Sequence, residues 1–155
     1  MKIIEYNDEI VELSAIIAEW YEEYNGDDFN IEVDIPTFAS SLQRLIDDED
    51  CVLLAMMNDD KVVGIFGVEM FNNPLNGDKV ANEHFWYVLH EYRGRGIKLI
   101  RSAIKWAKDN NCSHIMLNAS MLASDLHDKT CMLYEKIGAK KIETSYIKEI
   151  KDELL

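Results

Sequence analysis

Apolar residues recur at Leu13, Ile16, Ile17, Trp20 and Tyr24, three and four positions apart, and this spacing predicts a helix that stops near Asn25-Gly26. Residues 2–6 form a short strand ahead of it. Phe38, Leu42, Leu45 and Ile46 make a second helical stripe behind Pro36, a residue suited to a first helical turn. The acidic connection GDDFNIEVD, residues 26–34, either lines a cleft or is simply solvated. VLLAMM (52–57) and VVGIFGVEM (62–70) are continuous apolar runs joined by Asn58-Asp59-Asp60-Lys61, and they predict paired antiparallel strands. Gly64 and Gly67 within the second run point to a bulge or to close packing. After the turn-rich residues 72–78, EHFWYVL (83–89) reads as an aromatic strand. From Ile97 the apolar positions are 97, 100, 104 and 107, flanked by Leu99 and Ala103, with Lys98, Arg101, Lys105 and Lys108 on other faces, as in a helix lying on a sheet. HIMLNA (114–119) predicts a strand. Residues 125–137 predict a helix stopped by Gly138, a residue suited to a left-handed cap, and residues 141–150 a last strand.

The order β-α-α-β-β-β-α-β-α-β predicts a mixed α/β sheet flanked by helices, and the 155 residues amount to one domain, 1–155. No apolar window is long enough to span a bilayer, and MKIIEYNDEI turns acidic by Asp8, where a signal peptide would become apolar. Neither a membrane nor a leader is expected. The final KDELL carries retention-signal letters, but Leu155 follows them. With 29 acidic against 16 basic residues the formal charge is −13, which disfavours nucleic acid; the carboxylates either form an acidic mouth for an amine or basic-protein substrate or, as is commoner, simply keep the surface solvated. Three widely spaced cysteines, Cys51, Cys112 and Cys131, suggest a reducing cytoplasm and no disulfide framework. Cys112 and Cys131 read as structural thiols, with no histidine spacing that would activate them. No metal is expected: His90-Glu91 has no second histidine at zinc-protease spacing.

Chemistry concentrates in HEYRGRGIKLI, residues 90–100. A strand that enters a glycine turn and then a helix exposes backbone N–H groups at the positive end of the helix dipole, which is an anion site. Gly94 and Gly96 would let a pyrophosphate approach closely, and Arg93 and Arg95 add charge. A dinucleotide fingerprint would need glycine where Leu99 stands, and a P-loop would need Gly-Lys followed by Ser or Thr. A plain turn, with glycines for geometry and arginines for solubility, stays open on these residues alone.

The stretch Arg93-Gly94-Arg95-Gly96-Ile97-Lys98 resembles the acyl-CoA signature of the GCN5-related N-acetyltransferase (GNAT) family, Lys98 standing where a small residue is usual. Leu133-Tyr134-Glu135-Lys136-Ile137-Gly138 is similar to the family's Leu-Tyr-Glu-Lys-x-Gly, and the element order also matches. The resemblance implies an acyl-CoA N-acyltransferase-like fold with a mostly antiparallel sheet, acetyl-CoA as co-substrate, and direct transfer to a primary amine in a ternary complex. That amine would be a polyamine, an aminoglycoside or a protein amine. It implies that Val88 and Leu89 hold the pantetheine arm and that the N–H groups of Arg93, Gly94, Arg95, Gly96, Ile97 and Lys98 hold the pyrophosphate. Asn118 is placed either to hydrogen-bond the pantetheine or the acceptor across the strand gap or to cap the next turn. Tyr134 would be the general acid. For the base the family often uses a carboxylate on this strand at no fixed position, and Glu83, His84 on the opposite strand face, or water stay open, with Glu83 the first candidate and a solvent-facing strand end the plain alternative. Trp20, Tyr21, Tyr24 and the 26–34 connection would line the acceptor side. His127 replaces an asparagine usual at the start of the last helix, and Ala139 an aromatic after the glycine. A noncatalytic CoA-binding or interaction module on the same fold is the alternative, and a homodimer is compatible with either.

Overall fold

Two apolar runs form the middle of the sheet because helices cover both of their faces. The protein is described by a computed structural model covering residues 1–123 and 125–151. Strands β2 (Cys51–Asn58) and β3 (Lys61–Asn72) pair antiparallel through the tight turn foreseen at Asn58-Lys61, and residues 51–56 and 62–68 are all buried. Double burial explains a continuous apolar run in place of alternation. The strand glycines are packing residues. A Cβ on Gly67 would lie 2.5 Å from Leu45 Cδ1 of α2 (Ile35–Asp47), and one on Gly64 would lie 3.2 Å from Leu99 Cδ1 of α3 (Ile97–Asp109). The two helices therefore lie on opposite faces of β3. The start of α2 is fixed by Asp34, whose carboxylate accepts the Thr37 N–H at 3.0 Å.

The full strand order is β1-β2-β3-β4-β5, with β1 at Lys2–Glu5, β4 at Lys79–Val88 and β5 at His114–Met116. All neighbours are antiparallel except β4 and β5. Helix α1 (Ser14–Glu23) buries Ile16, Ile17 and Trp20, and α4 (His127–Lys136) buries Tyr134. Gly138 follows α4 with φ +96°, the left-handed cap that its identity suggests.

Three boundaries differ from the sequence reading. Strand β4 begins at Lys79 rather than Glu83, because Lys79 to Asn82 pair with β3 while Val80 to Asn82 also pair with β5, a two-sided support that the residues Lys-Val-Ala-Asn do not advertise. Strand β5 stops at Met116 rather than Ala119, because the chain then diverges from β4. The last strand expected at 141–150 is not formed: those residues are exposed and join no ladder among the described residues.

The divergence has a local cause. In the β3–β4 register Gly67 faces Phe85 while the next residue, Val68, faces Glu83, so His84 is an extra residue in β4. Such a bulge increases twist and bends its strand. Pairing of β4 with β5 ends beside it, at Asn82 and Met116, and beyond that point the two parallel strands splay.

Candidate active site

Glu83 stands at the base of the splay and is the one charged residue in the buried core among the described residues. Its Oε2 accepts the Tyr134 hydroxyl at 2.7 Å and the Asn118 N–H at 2.8 Å, while Asn118 Nδ2 donates to the Glu83 carbonyl at 2.6 Å and to Asn82 Oδ1 at 3.0 Å. Burial pushes the Glu83 carboxyl up to about 7, against the pull of those two donors. The Tyr134 hydroxyl is driven above its ordinary value by burial and by the neighbouring carboxylate, so it keeps its proton near neutral pH. Glu83 and Tyr134, foreseen as base and acid, are thus brought together. Asn118 is committed to Glu83 and Asn82 as a clamp across the splay, and its side chain is not directed at an open cleft.

His84 lies on the other face, as strand alternation requires. Its Nε2 is 2.5 Å from Glu69 Oε2, and Glu69 also takes both Arg44 terminal nitrogens at 3.0 Å. Of the two backbone positions foreseen for a pantetheine arm, Leu89 has its N–H committed to Val63 O at 2.9 Å, on the β3 side. Alternation then turns the polar groups of Val88 toward the splay, where Val88 O receives Arg93 Nε at 3.3 Å.

The glycine turn joins this site from α3. Gly94, Gly96 and Ile97 donate no backbone hydrogen bond among the described residues, whereas the N–H groups of Arg93, Arg95 and Lys98 are already turned onto His90, Tyr92 and Arg95 carbonyls at 3.2–3.3 Å. The donor set for an anion therefore narrows to three amides. Gly94 serves the turn with φ +88° and open space around it. Gly96 instead faces the interior, where a Cβ would meet Trp86 Cζ2 at 3.0 Å. Lys98 is exposed and does not crowd the turn. The first turn of α3 holds no acidic residue, so Lys98 places positive charge at the positive end of the dipole, an arrangement that an anion would relieve.

Four residues of this region escaped the sequence reading. The Arg93 side chain does not face the anion site: its terminal nitrogen donates to both Glu23 oxygens of α1 at 2.6 Å. Tyr87 Oη also donates to Glu23 at 2.9 Å, and the His90 N–H donates to Glu19 at 2.6 Å. Helix α1 is thereby strapped to the turn. Trp86 stacks on Tyr134 with ring centres 6.1 Å apart, and its buried Nε1 has no hydrogen-bond partner among the described residues. Glu19 and Glu23, one turn apart on α1, were a readable carboxylate pair, but their partner lies about 70 residues away. The remaining aromatic expectation is altered: Trp20 stacks on Phe38 at 4.2 Å and packs against Phe85 inside the core, leaving Tyr21 exposed. Asn25, just ahead of the 26–34 connection, meets the loop after β5, where its N–H donates to Leu122 O. His127 Nε2 lies 3.7 Å from Cys131 Sγ, a histidine contact not foreseen for that thiol.

The fold and sequence agree with known proteins. A solved transcriptional regulator from Bacillus halodurans C-125 superposes with a TM-score of 0.77 at 18% identity, covering 96% of this chain and 99% of that one. A ribosomal-protein-alanine N-acetyltransferase from Brucella melitensis biovar Abortus 2308 gives 0.69 at 23% identity, covering 97% and 100%. An aminoglycoside acetyltransferase from an uncultured soil metagenomic sample gives 0.71 at 15% identity, covering 97% and 96%. No curated protein matches by sequence search. The sequence profile described as the acetyltransferase (GNAT) family matches residues 15–139, which takes in every site residue from Glu19 to Tyr134, and the chain belongs to that family.

Proposed function

We propose that this chain is an N-acetyltransferase that transfers an acetyl group from acetyl-CoA to a primary amine by direct attack in a ternary complex. The observation that carries the reading is the 2.7 Å contact of Tyr134 Oη with Glu83 Oε2 at the splay. Acetyl-CoA supplies the acyl group already activated as a thioester. The free amides of Gly94, Gly96 and Ile97 at the α3 N-terminus suit its pyrophosphate, and the splay-facing backbone of Val88 suits an amide-bearing arm.

An attacking amine must shed a proton, and a departing thiolate is stabilised by gaining one. Glu83 Oε2, with a carboxyl poised at about 7, is half ionised at neutral pH and takes up the first proton. Once protonated, the carboxyl becomes a donor to Tyr134 Oη, and the Tyr134 hydroxyl is released from Glu83 to give its own proton outward. One proton enters at Glu83 and one leaves at Tyr134, so the pair is unchanged in charge after a cycle. The low-dielectric setting and the stacked Trp86 ring hold the hydroxyl in place for that exchange.

The acceptor class follows from the α1 side. Glu19 and Glu23 are neutralised by Arg93 and by backbone donors, and Asp34 caps α2, so acidity that can recruit an amine lies in Asp27, Asp28 and Glu32 of the 26–34 connection. This favours a polyamine, an aminoglycoside or a lysine-bearing or N-terminal peptide. Incubation with acetyl-CoA and a panel of these amines, with free thiol followed, should show turnover that Glu83→Gln depresses. Tight acetyl-CoA binding without turnover across the whole panel would instead establish the noncatalytic reading.

A further inference from the structure

A thiol, an imidazole and a carboxylate are linked along α4, apart from the pair of Glu83 and Tyr134. Cys131 Sγ lies 3.7 Å from His127 Nε2, and His127 Nδ1 lies 3.0 Å from Asp128 Oδ1. An imidazole whose Nδ1–H is turned to a carboxylate keeps its Nε2 lone pair for the thiol proton. Asp128 is 96% exposed, so it orients the ring more than it charges it. The three groups stand in the order nucleophile, base, orienting group, by which a thiol is activated for acyl transfer. His127 and Cys131 are four residues apart, a spacing that turns into contact once α4 forms.

This thiol stands beside the splay. Positions 127, 131 and 134 recur four and three residues apart, so His127, Cys131 and Tyr134 share one face of α4, the face on which the Tyr134 hydroxyl meets Glu83. That hydroxyl is driven above its ordinary value by burial first, then by Glu83, and also by negative charge at Cys131, which requires the sulfur to lie near it. Cys131 is only partly buried and the His127 side chain is 29% exposed, so both can be reached from the cleft. The other two cysteines lack this setting. Burial pushes the Cys51 thiol up to about 11 and raises that of Cys112, and neither thiol bonds a histidine among the described residues.

We propose that Cys131, activated by His127, accepts the acetyl group of acetyl-CoA, a second acyl-transfer activity in the same cleft. This exchange rests on the acetyl-CoA part of the reading above and not on its amine acceptor. His127 Nε2 takes the thiol proton as Cys131 Sγ attacks the thioester carbon. The new Sγ–C bond replaces the bond to the CoA sulfur, and that sulfur receives the proton from His127. One thioester is exchanged for another, so the step needs no further reactant and runs in both directions. Free CoA therefore takes the acetyl group back from Cys131, whereas an acetyl amide would keep it.

Protein incubated with acetyl-CoA and no amine should gain one acetyl group by intact-mass spectrometry. Peptide mapping should place it on Cys131 and find Cys51 and Cys112 unmodified, and excess CoA should remove it. Cys131→Ser should abolish the label, and His127→Gln should slow its formation at least about 10-fold, with acetyl-CoA binding followed in parallel by calorimetry. Iodoacetamide, which needs no acyl donor, should alkylate Cys131 at least about 10-fold faster than Cys51 or Cys112, and His127→Gln should lose that preference. Acetyl-CoA binding and amine turnover with no label on Cys131 would overturn the proposal and leave the acetyl-transfer reading standing; absence of binding would remove both. A label that forms as fast in His127→Gln as in the parent, or one found only on lysine and kept in excess CoA, would overturn it as well.

Discussion

Tyr134 on α4 and Glu83 on β4 are joined by a 2.7 Å hydrogen bond across the point where the sheet opens. Asn118, just past β5, binds the same carboxylate through its N–H. Three segments distant in sequence thus meet on one buried group. A carboxyl at this depth costs stability unless donors surround it, and the site offers two donors while burial still raises its proton affinity.

Tyr134→Phe keeps the ring that stacks on Trp86 and removes one donor from Glu83. If Tyr134 delivers the proton, kcat should fall about 10- to 100-fold with acetyl-CoA affinity little changed. The lost hydrogen bond had favoured the charged carboxylate, so the Glu83 carboxyl should move above about 7 and the rising limb of the kcat/KM profile should shift to higher pH. Steady-state rates across pH, with acetyl-CoA binding by calorimetry, test both; parental kcat in the variant would remove Tyr134 from the chemistry.

Stability should depend on pH through the same carboxyl. Its folded value of about 7 lies above the ordinary 4.5, so between those limits the folded chain holds a proton that the unfolded chain releases. Stability from this group is full below about 4.5 and falls as pH rises toward 7, by on the order of 3 kcal/mol in all. Urea unfolding at intervals from pH 4.5 to 8 should show this decline superimposed on other titrations, and Glu83→Gln should remove it. Identical pH slopes in the two proteins would mean that Glu83 ionises freely.

Much of this arrangement could be read from the residues, and the remainder could not for a consistent reason. The stripe on α3 announced itself through Ile100 and Ala107 at helical spacing, with Leu99 and Ala103 beside it, all four buried, whereas Ile104, expected in the same stripe, is exposed. Gly138 announced its left-handed cap. These are local signals. The extra residue at His84 that opens the sheet is invisible in EHFWYVL, because a bulge is a mismatch between two strands and belongs to neither alone. Arg93 read as a ligand for phosphate, since nothing near it in sequence shows that Glu23 will claim it. The strand expected at 141–150 does not form, because a strand pattern does not name the edge that would have to pair with it.

The strap from Arg93 to Glu23 should contribute to stability and to the pose of the turn. Its charges are partly buried, each side chain about 26% exposed, and the guanidinium also reaches Val88 O through Nε. Arg93→Lys loses the two-pronged grip and should cost about 1–3 kcal/mol, discounted for partial solvent screening. It should also raise KM for acetyl-CoA, because the turn then keeps its tie to α1 at His90 but loses the one through Arg93. A double-mutant cycle with Glu23→Gln in chemical denaturation measures the coupling; additive effects would show that the pair carries no energetic weight.

The two turn glycines should fail in different ways when a methyl group is added. At Gly94 there is space but φ is +88°, so Gly94→Ala strains the backbone by about 1–2 kcal/mol whatever stands nearby. At Gly96 the backbone is ordinary, φ −61°, but a Cβ would lie 3.0 Å from Trp86 Cζ2 and 3.1 Å from Val88 Cγ2. Gly96→Ala must therefore displace the Trp86 ring, and with it the ring of Tyr134 stacked on its other side. Trp86→Phe removes the obstructing atom. The double variant Gly96→Ala/Trp86→Phe should then be more stable than the sum of its single changes by about 1 kcal/mol, while Gly94→Ala combined with Trp86→Phe should be additive. Urea unfolding of the five variants distinguishes the cases, and coupling at Gly94 in place of Gly96 would reverse the assignment of which glycine serves the turn and which the packing.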